Sequence, residues 1–419
     1  MKKLGLFMWL LAVLFFFYEY FLRAFVGTLA SQIIPDLSIT TEQLAWIGSG
    51  YYIAYALMQL PVGILIDKYG SRLLLTIACV ICALAAIWFG LVKGFIDAFA
   101  SRFLMGLGSA FGFIGLLAIA LNWFPKKHFA FMTGLSQFLG VIGPMCAGAP
   151  LVMLMHIYNN NWRLLLTSTG VIGLFLSILI GLFLRNKPKR TSHAIVHIET
   201  GQALSKKLHS LVRSPQAWAT MLFAATNYAS VPLLGAFWGT SYMQVRGFSQ
   251  SEAAFIASMV WLGLAVGCPI AGRVSDAIKR RKTCLSTLSA LGFVASIVAL
   301  YFPIHSLPAL CIAFFLIGFA GAGQSVSFAT ISEQVSSKLK ATVLGFNNLG
   351  IITFAAIVPP IVSSFMHGLQ NSANEHTAEG FKTGLTIIPI LFILSFVIGS
   401  FLVKETFCRP QKEPLRVSI

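Results

Sequence analysis

Three ionisable side chains stand inside long apolar runs of this 419-residue chain: Glu19, Arg23 and Arg102. Glu19 and Arg23 are four residues apart, so on a helix they share one face at about 6 Å along the axis. A guanidinium presents a planar fork that suits a carboxylate or a phosphate. The carboxyl beside it can carry a proton. Burial disfavours its ionised form and the arginine favours it, so an anion competing for Arg23 would weaken the pair and promote protonation of Glu19. Two roles remain open: an exchangeable anion and proton site, or a permanent structural ion pair. Arg102 lies at a comparable depth in another run.

The elements that must position these groups are membrane helices. The composition is 57% hydrophobic and 10% charged, with a mean hydropathy of +0.82, far too little charge to cover a soluble surface of this size. Apolar runs lie near 7–30, 44–66, 73–92, 98–122, 129–153, 164–184, 215–243, 253–275, 283–303, 307–331, 341–366 and 381–403. Each is long enough to cross a hydrocarbon core of about 30 Å. The expected fold is all-α, with twelve transmembrane helices in two pseudo-symmetric six-helix bundles. Residues 1–184 form the first bundle, 185–214 a cytoplasmic linker, 215–403 the second bundle and 404–419 a cytoplasmic tail. Proline and glycine inside the runs do not oppose this, because neighbouring helices can satisfy the freed backbone groups.

The net charge of +17 is distributed as a membrane protein distributes it. With the N-terminus inside, the cytoplasmic face collects Lys2, Lys3, Lys68, Arg72, the linker cations and the cluster from Lys279 to Lys282. The other face holds Lys93, Arg163, Arg246 and Lys382. This asymmetry predicts both termini in the cytoplasm, and anionic lipid rather than nucleic acid as the partner of the basic loops. The first run is too long for a secretory signal, is interrupted by Glu19 and Arg23, and is expected to be retained. The linker reads as a surface segment with a short amphipathic helix near 203–212. The seven cysteines are scattered and read as core residues. Cys79 and Cys82 share a helix face without a further metal-ligand pair, so no metal or cofactor is expected. His156 and His305 read as interfacial. No nucleophile–base pair and no phosphate-cradling loop is visible, which argues against an enzyme and against direct use of ATP.

A repeat organises the chain. The segment from Gly63 through Asp67 and Gly70 to Arg72 returns 209 positions later as Gly272, Asp276, Lys279, Arg280 and Arg281. Gly134 to Phe138 likewise parallels Gly345 to Leu349. Arg102 opens an Arg-x-x-x-Gly segment ending at Gly106, and Trp123-Phe124-Pro125 and Asn161-Trp162-Arg163 mark helix ends. In these residues the whole chain resembles the major facilitator superfamily, nearest to its organic-anion and metabolite symporters and to nutrient-uptake facilitators of intracellular bacteria. Two parallel six-helix repeats with a site near the midplane are what that resemblance implies.

The resemblance further implies that spans 1, 4, 7 and 10 line a cavity. Beside the three charges, Asn227, Tyr228 and Gln324 would then be substrate residues. The stripe Tyr51, Tyr55 and Gln59 on span 2, and Asn347 and Asn348 on span 11, would join them. Gly63, Asp67, Gly70, Arg72, Gly272, Asp276 and Arg280 would form a conformational latch, with Gly63 allowing a close helix approach and Arg72 pairing with the facing half. A plain loop anchor is the alternative. Ser109 stands where the anion symporters carry a second acid in span 4, which puts a two-carboxylate scheme in doubt. Gly143-Pro144 with Gly148 reads as a packing kink, and the faces around Gly108–Gly112 and Gly263–Gly267 as sites of close packing. The expected function is proton-coupled uptake of a small polar or anionic metabolite by a monomer in a bacterial inner membrane. Antiport export of an amphiphile, such as a drug or siderophore, is one competing reading. A transport-inactive receptor or scaffold is another.

Overall fold

Thr40 and Ser249 stand 209 positions apart and start their helices in the same way. Each hydroxyl accepts the N–H three residues on, and the Gln43 or Glu252 side chain reaches back to the cap's own N–H. Two orphan donors are thereby satisfied at each start. The helices that follow, α3 (Thr41–Tyr69) and α11 (Gln250–Ile278), are both 29 residues long. They also end alike. Gly70 closes α3 at φ 83° and ψ 152°, a conformation open in practice to glycine alone, and a Cβ there would lie 2.4 Å from Asn186 Nδ2. Lys279 closes α11 at φ 52° and ψ 34°, in the left-handed region. The second copy keeps the turn without its glycine, at a cost of about 1 kcal/mol.

The computed structural model describes residues 2–124, 129–186, 212–335, 340–366 and 378–409, apart from the side chains at 2, 60, 64, 67, 129–131, 133, 134 and 340–342. The expected linker helix near 203–212 and nearly all of the linker lie outside the described residues. No strand occurs among the described residues. The chain divides into two compact units, Met1–Ile198 and Glu199–Ile419. Nine described helices are long and apolar enough to cross a membrane, or ten when the bent pair Leu135–Cys146 and Ala149–Ile157 counts as one span. Helix α3 and the interrupted helical run from 215 to 245 occupy the other two expected spans.

In the first unit α1 (Lys2–Thr28) leads into α2 (Ala30–Leu37). After α3 come α4 (Ser71–Leu91), α5 (Phe95–Trp123), α6 (Phe129–Cys146), α7 (Ala149–Ile157) and α8 (Trp162–Phe183). The second unit has α9 (Pro215–Tyr228), a π-helical stretch over Leu233–Trp238, α10 (Gly239–Val245), α11 and α12 (Arg281–Tyr301). It continues with α13 (Leu307–Gly321), α14 (Gly323–Glu333), α15 (Lys340–Met366), α16 (Ala378–Leu385), α17 (Ile387–Val397) and a π-helical end, Ile398–Leu402. Each unit repeats one set of neighbours. In the first, α3 packs on α5, α4 on α5 and α8, and α1 on α6. In the second, α11 packs on α13, α12 on α13 and α17, and α9 on α15.

The predicted kink is present: α6 and α7 meet at 46° beyond Pro144. Span 7 is interrupted where Pro232, lacking an N–H, breaks the hydrogen-bond ladder ahead of the π-helical turn. The Asn161-Trp162-Arg163 segment proves to be a clamp. Asn161 caps α8, while Trp162 Nε1 and Arg163 Nε donate to Asp36 Oδ2 of α2 at 3.1 and 2.8 Å.

Lys279→Gly is expected to stabilise the second unit by about 1 kcal/mol, because glycine enters the left-handed region without strain. Gly70→Ala is expected to destabilise the first. Thermal unfolding of the purified protein in detergent checks both signs.

Candidate functional site

Helix α5 makes the site possible by carrying glycine where it meets two neighbours. A Cβ at Gly106 would lie 2.0 Å from the Tyr51 carbonyl oxygen, so α5 touches the α3 backbone there. A Cβ at Gly112 would lie 3.1 Å from Glu19 Cγ on α1. Tyr51 and Glu19 thus converge on one helix. Tyr51 Oη donates to Glu19 Oε2 at 2.6 Å and lies 3.2 Å from the Glu19 carbonyl oxygen. Arg23 Nη2 reaches the same carboxylate oxygen at 3.3 Å, and its Nε reaches Tyr51 Oη at 3.4 Å. Glu19 Oε1 is buried with no hydrogen-bond partner among the described residues.

Four tyrosine rings surround the Arg23 guanidinium. Its central carbon stands 4.1 Å from the ring centre of Tyr20, 4.8 Å from Tyr55, 5.6 Å from Tyr51 and 6.0 Å from Tyr52. Cation–π attraction at this range strengthens once water is excluded. Arg23 is 3% exposed and Glu19 fully buried. This cage is a cation held mainly by ring faces, with a carboxylate at its edge.

Arg102 is used differently. It is fully buried, donates to the carbonyl of Leu22 and, at 3.3 Å, to that of Arg23, and lies over the rings of Phe25 and Tyr51 at 5.0 and 4.8 Å. It straps α5 to the α1 backbone behind Arg23. The buried charges described in the first unit are therefore two cations and one anion.

A second buried ion pair supplies a comparison. Arg281 Nη2 and Nε reach the two oxygens of Glu333 at 2.7 and 3.3 Å, and Nη1 reaches Asp276 Oδ1 at 2.7 Å and Ser275 Oγ at 3.0 Å. That is the saturated fork of a structural pair. Arg23 and Glu19 are farther apart and share a single oxygen.

The remaining predicted residues scatter. Gln59 Nε2 donates to the Tyr55 carbonyl at 3.4 Å. Asn227, with its amide oriented to satisfy both ends, donates to the carbonyls of Ala320 and Gly321 at 3.0 and 3.1 Å, where span 10 breaks between α13 and α14. Asn347 Nδ2 donates to Ser327 Oγ at 3.0 Å. Tyr228 is buried, while Gln324 and Asn348 are partly exposed.

The latch residues need amending. Cβ atoms at Gly63 and Gly272 would meet nothing within 4 Å among the described residues, so the expected close approach at Gly63 is not found there. Arg72 pairs inside its own unit. Its Nε and Nη2 donate to the Gly181 carbonyl at 2.9 and 2.5 Å, because the end of α8 leaves that acceptor unpaired beside the start of α4. Arg280 is an exposed helix cap, and the contacts expected of it belong to Arg281, one residue further into α12. The side chain of Asp67 lies outside the described residues. Sequence reasoning also passed over Tyr20 and Tyr52, since aromatic residues in an apolar helix look like ordinary core.

Gly106→Ala is expected to cost about 3 kcal/mol, since the clash is with backbone and α5 must retreat from Tyr51. Gly94→Ala, with open space around its Cβ position, should change stability by less than about 0.5 kcal/mol. Thermal unfolding of the two variants side by side checks the contrast.

Comparison with known proteins agrees with this architecture. The family model described as Major Facilitator Superfamily matches residues 8–360 and 251–416. A hexuronate transporter of Bacillus subtilis is 24% identical over 397 residues, covering 90% of this chain and 91% of the relative. A probable L-galactonate transporter of Escherichia coli is 23% identical over 416 residues, covering 94% and 88%. A solved bacterial homologue of the human lysosomal transporter Spinster shares the fold with a TM-score of 0.79 at 18% identity, covering 99% of this chain and 100% of that one. With twelve membrane helices in two six-helix bundles, the chain is a transporter rather than an enzyme, and it belongs to the major facilitator superfamily.

Proposed function

We propose that this protein takes up a small anionic metabolite by proton-coupled symport, moving it by alternating access. The observation that carries the reading is the tyrosine-caged Arg23, loosely paired with Glu19 and backed by Arg102. A cluster out of water with one cation in excess favours an anionic guest, and Arg23 holds its carboxylate through one shared oxygen at 3.3 Å. The relatives named for hexuronate and L-galactonate transport carry substrates of this class, small hydroxylated carboxylates. A carboxylate seated on Arg23 displaces Glu19 from its cation. A buried carboxylate that has lost its counter-ion takes up a proton, so anion and proton travel together. The looseness of the pair beside the saturated Arg281–Glu333 fork supports this over a permanent structural bridge.

The same reading places the protein as a monomer in a bacterial inner membrane with both termini cytoplasmic. Arg72 and Asp276, with Arg281 beside Arg280, stabilise the ends of the helices that rearrange.

Uptake of radiolabelled D-glucuronate into proteoliposomes under an inward proton gradient tests the reading. Arg23→Lys, which keeps the charge and loses the fork, should lower kcat/KM about 100-fold. Glu19→Gln should abolish gradient-driven accumulation while preserving exchange of substrate for substrate. Undiminished accumulation by Glu19→Gln would remove Glu19 from the coupling step. Efflux driven by the same gradient would replace uptake with antiport export.

A further inference from the structure

Each unit carries a groove at an equivalent position, between α4 and α8 in the first and between α12 and the α17 end in the second. The first, about 300 Å³, is lined by Arg72, Leu73, Thr76, Gly181 and Asn186. The second is about 460 Å³, and Lys282, Thr283, Ser286, Thr287, Phe396 and Ser400 line it. Arg72 and Arg281 correspond in the repeat, so Leu73 stands where the second groove has Lys282.

The first groove is chemically spent. Its guanidinium is bound to the Gly181 carbonyl, and Asn186 Oδ1 accepts the Arg72 N–H at 2.7 Å. The second groove is not. Ser286 and Ser400 hydroxyls lie 2.8 Å apart, and such a pair uses one hydrogen between its members and leaves the other free to donate. The half-buried Lys282 ammonium has no ion pair among the described residues, and Lys279, Arg280 and Lys404 stand exposed nearby. The adjacent acid, Glu405, accepts the backbone N–H groups of Arg281 and Lys282 at 2.8 and 3.0 Å, so the helix start is already capped by the chain itself. Along the same helices the surface turns apolar, with Val294, Leu394, Val397 and Phe401 exposed.

A cation and donating hydroxyls at one end of an apolar helix face match one kind of molecule. We propose that the second-unit groove is a binding site for an anionic phospholipid, its phosphate on Lys282 and the Ser286–Ser400 pair and its acyl chains along the apolar face. A zwitterionic headgroup fits less well, because it brings its own cation against Lys282 and the exposed cations around it.

Native mass spectrometry of the full-length protein, delipidated and then offered phosphatidylglycerol or phosphatidylcholine, tests this. Retention of phosphatidylglycerol should exceed that of phosphatidylcholine. Lys282→Leu, which copies the first groove, should cut it about fivefold. Ser286→Ala combined with Ser400→Ala, which keeps the charge and removes both hydroxyl donors, should cut it about twofold to threefold and serves if the lysine variant misfolds. Unchanged retention in both variants would overturn the proposal, as would equal retention of the two lipids. Displacement of the lipid by millimolar inorganic phosphate would also overturn it, by showing a site for the free anion.

Discussion

Desolvation of charge is the constraint on which the rest of this structure depends. Three ionisable side chains are held out of water in one helical bundle, and a charge on any of them is costly there unless something replaces its hydration. Arg102 meets the requirement with backbone carbonyls of α1. Glu19 meets it with the Tyr51 hydroxyl and Arg23. Arg23 meets it mostly with four ring faces. Ring faces offer a cation attraction without filling its hydrogen-bonding fork. The arrangement makes the surrounding glycines necessary, since α5 must come into backbone contact with α3 before Tyr51 can reach Glu19.

The two units show what duplication preserved and what it released. Capping boxes at Thr40 and Ser249, left-handed or glycine-type turns at Gly70 and Lys279, and close helix crossings at Gly106 and Gly318 recur at nearly constant spacing. A Cβ at Gly318 would meet the Val260 carbonyl oxygen at 1.9 Å, the counterpart of the Gly106 contact with Tyr51. The backbone contact is repeated, whereas the side chain above it is tyrosine in one copy and valine in the other. Geometry came in pairs and the charge chemistry did not. In the second unit the buried charges described are Arg281 and Glu333, at the helix ends, where they hold the fold together.

Much of this was legible in the residues. The fold class followed from hydropathy because a span must satisfy its backbone internally, and Glu19, Arg23 and Tyr51 were found because charge in an apolar run is rare and a four-residue spacing fixes a common face. Other features were not legible, for physical reasons. A membrane helix is apolar all round, so it has no amphipathic stripe to say which neighbour each side will meet. For that reason Arg102 could be read as a charge within an apolar run but not as bound to the α1 backbone. Asn227 likewise drew attention as a polar group, when its amide is committed to the carbonyls freed by the break in span 10. At the repeat loop, two adjacent arginines point to opposite sides of a helix start. The constant offset of 209 positions sets Arg281, rather than Arg280, opposite Arg72 in the repeat, and it is Arg281 that enters the network.

The central claim is that an anion on Arg23 and a proton on Glu19 bind as one event. Calorimetric titration of the purified protein with D-glucuronate, in two buffers of different ionisation enthalpy at one pH, measures that linkage directly. The account predicts uptake of close to one proton per anion bound by the native protein, tighter binding as pH falls, and no proton uptake in Glu19→Gln. Anion binding without proton uptake by the native protein, or with uptake unchanged in Glu19→Gln, would contradict it.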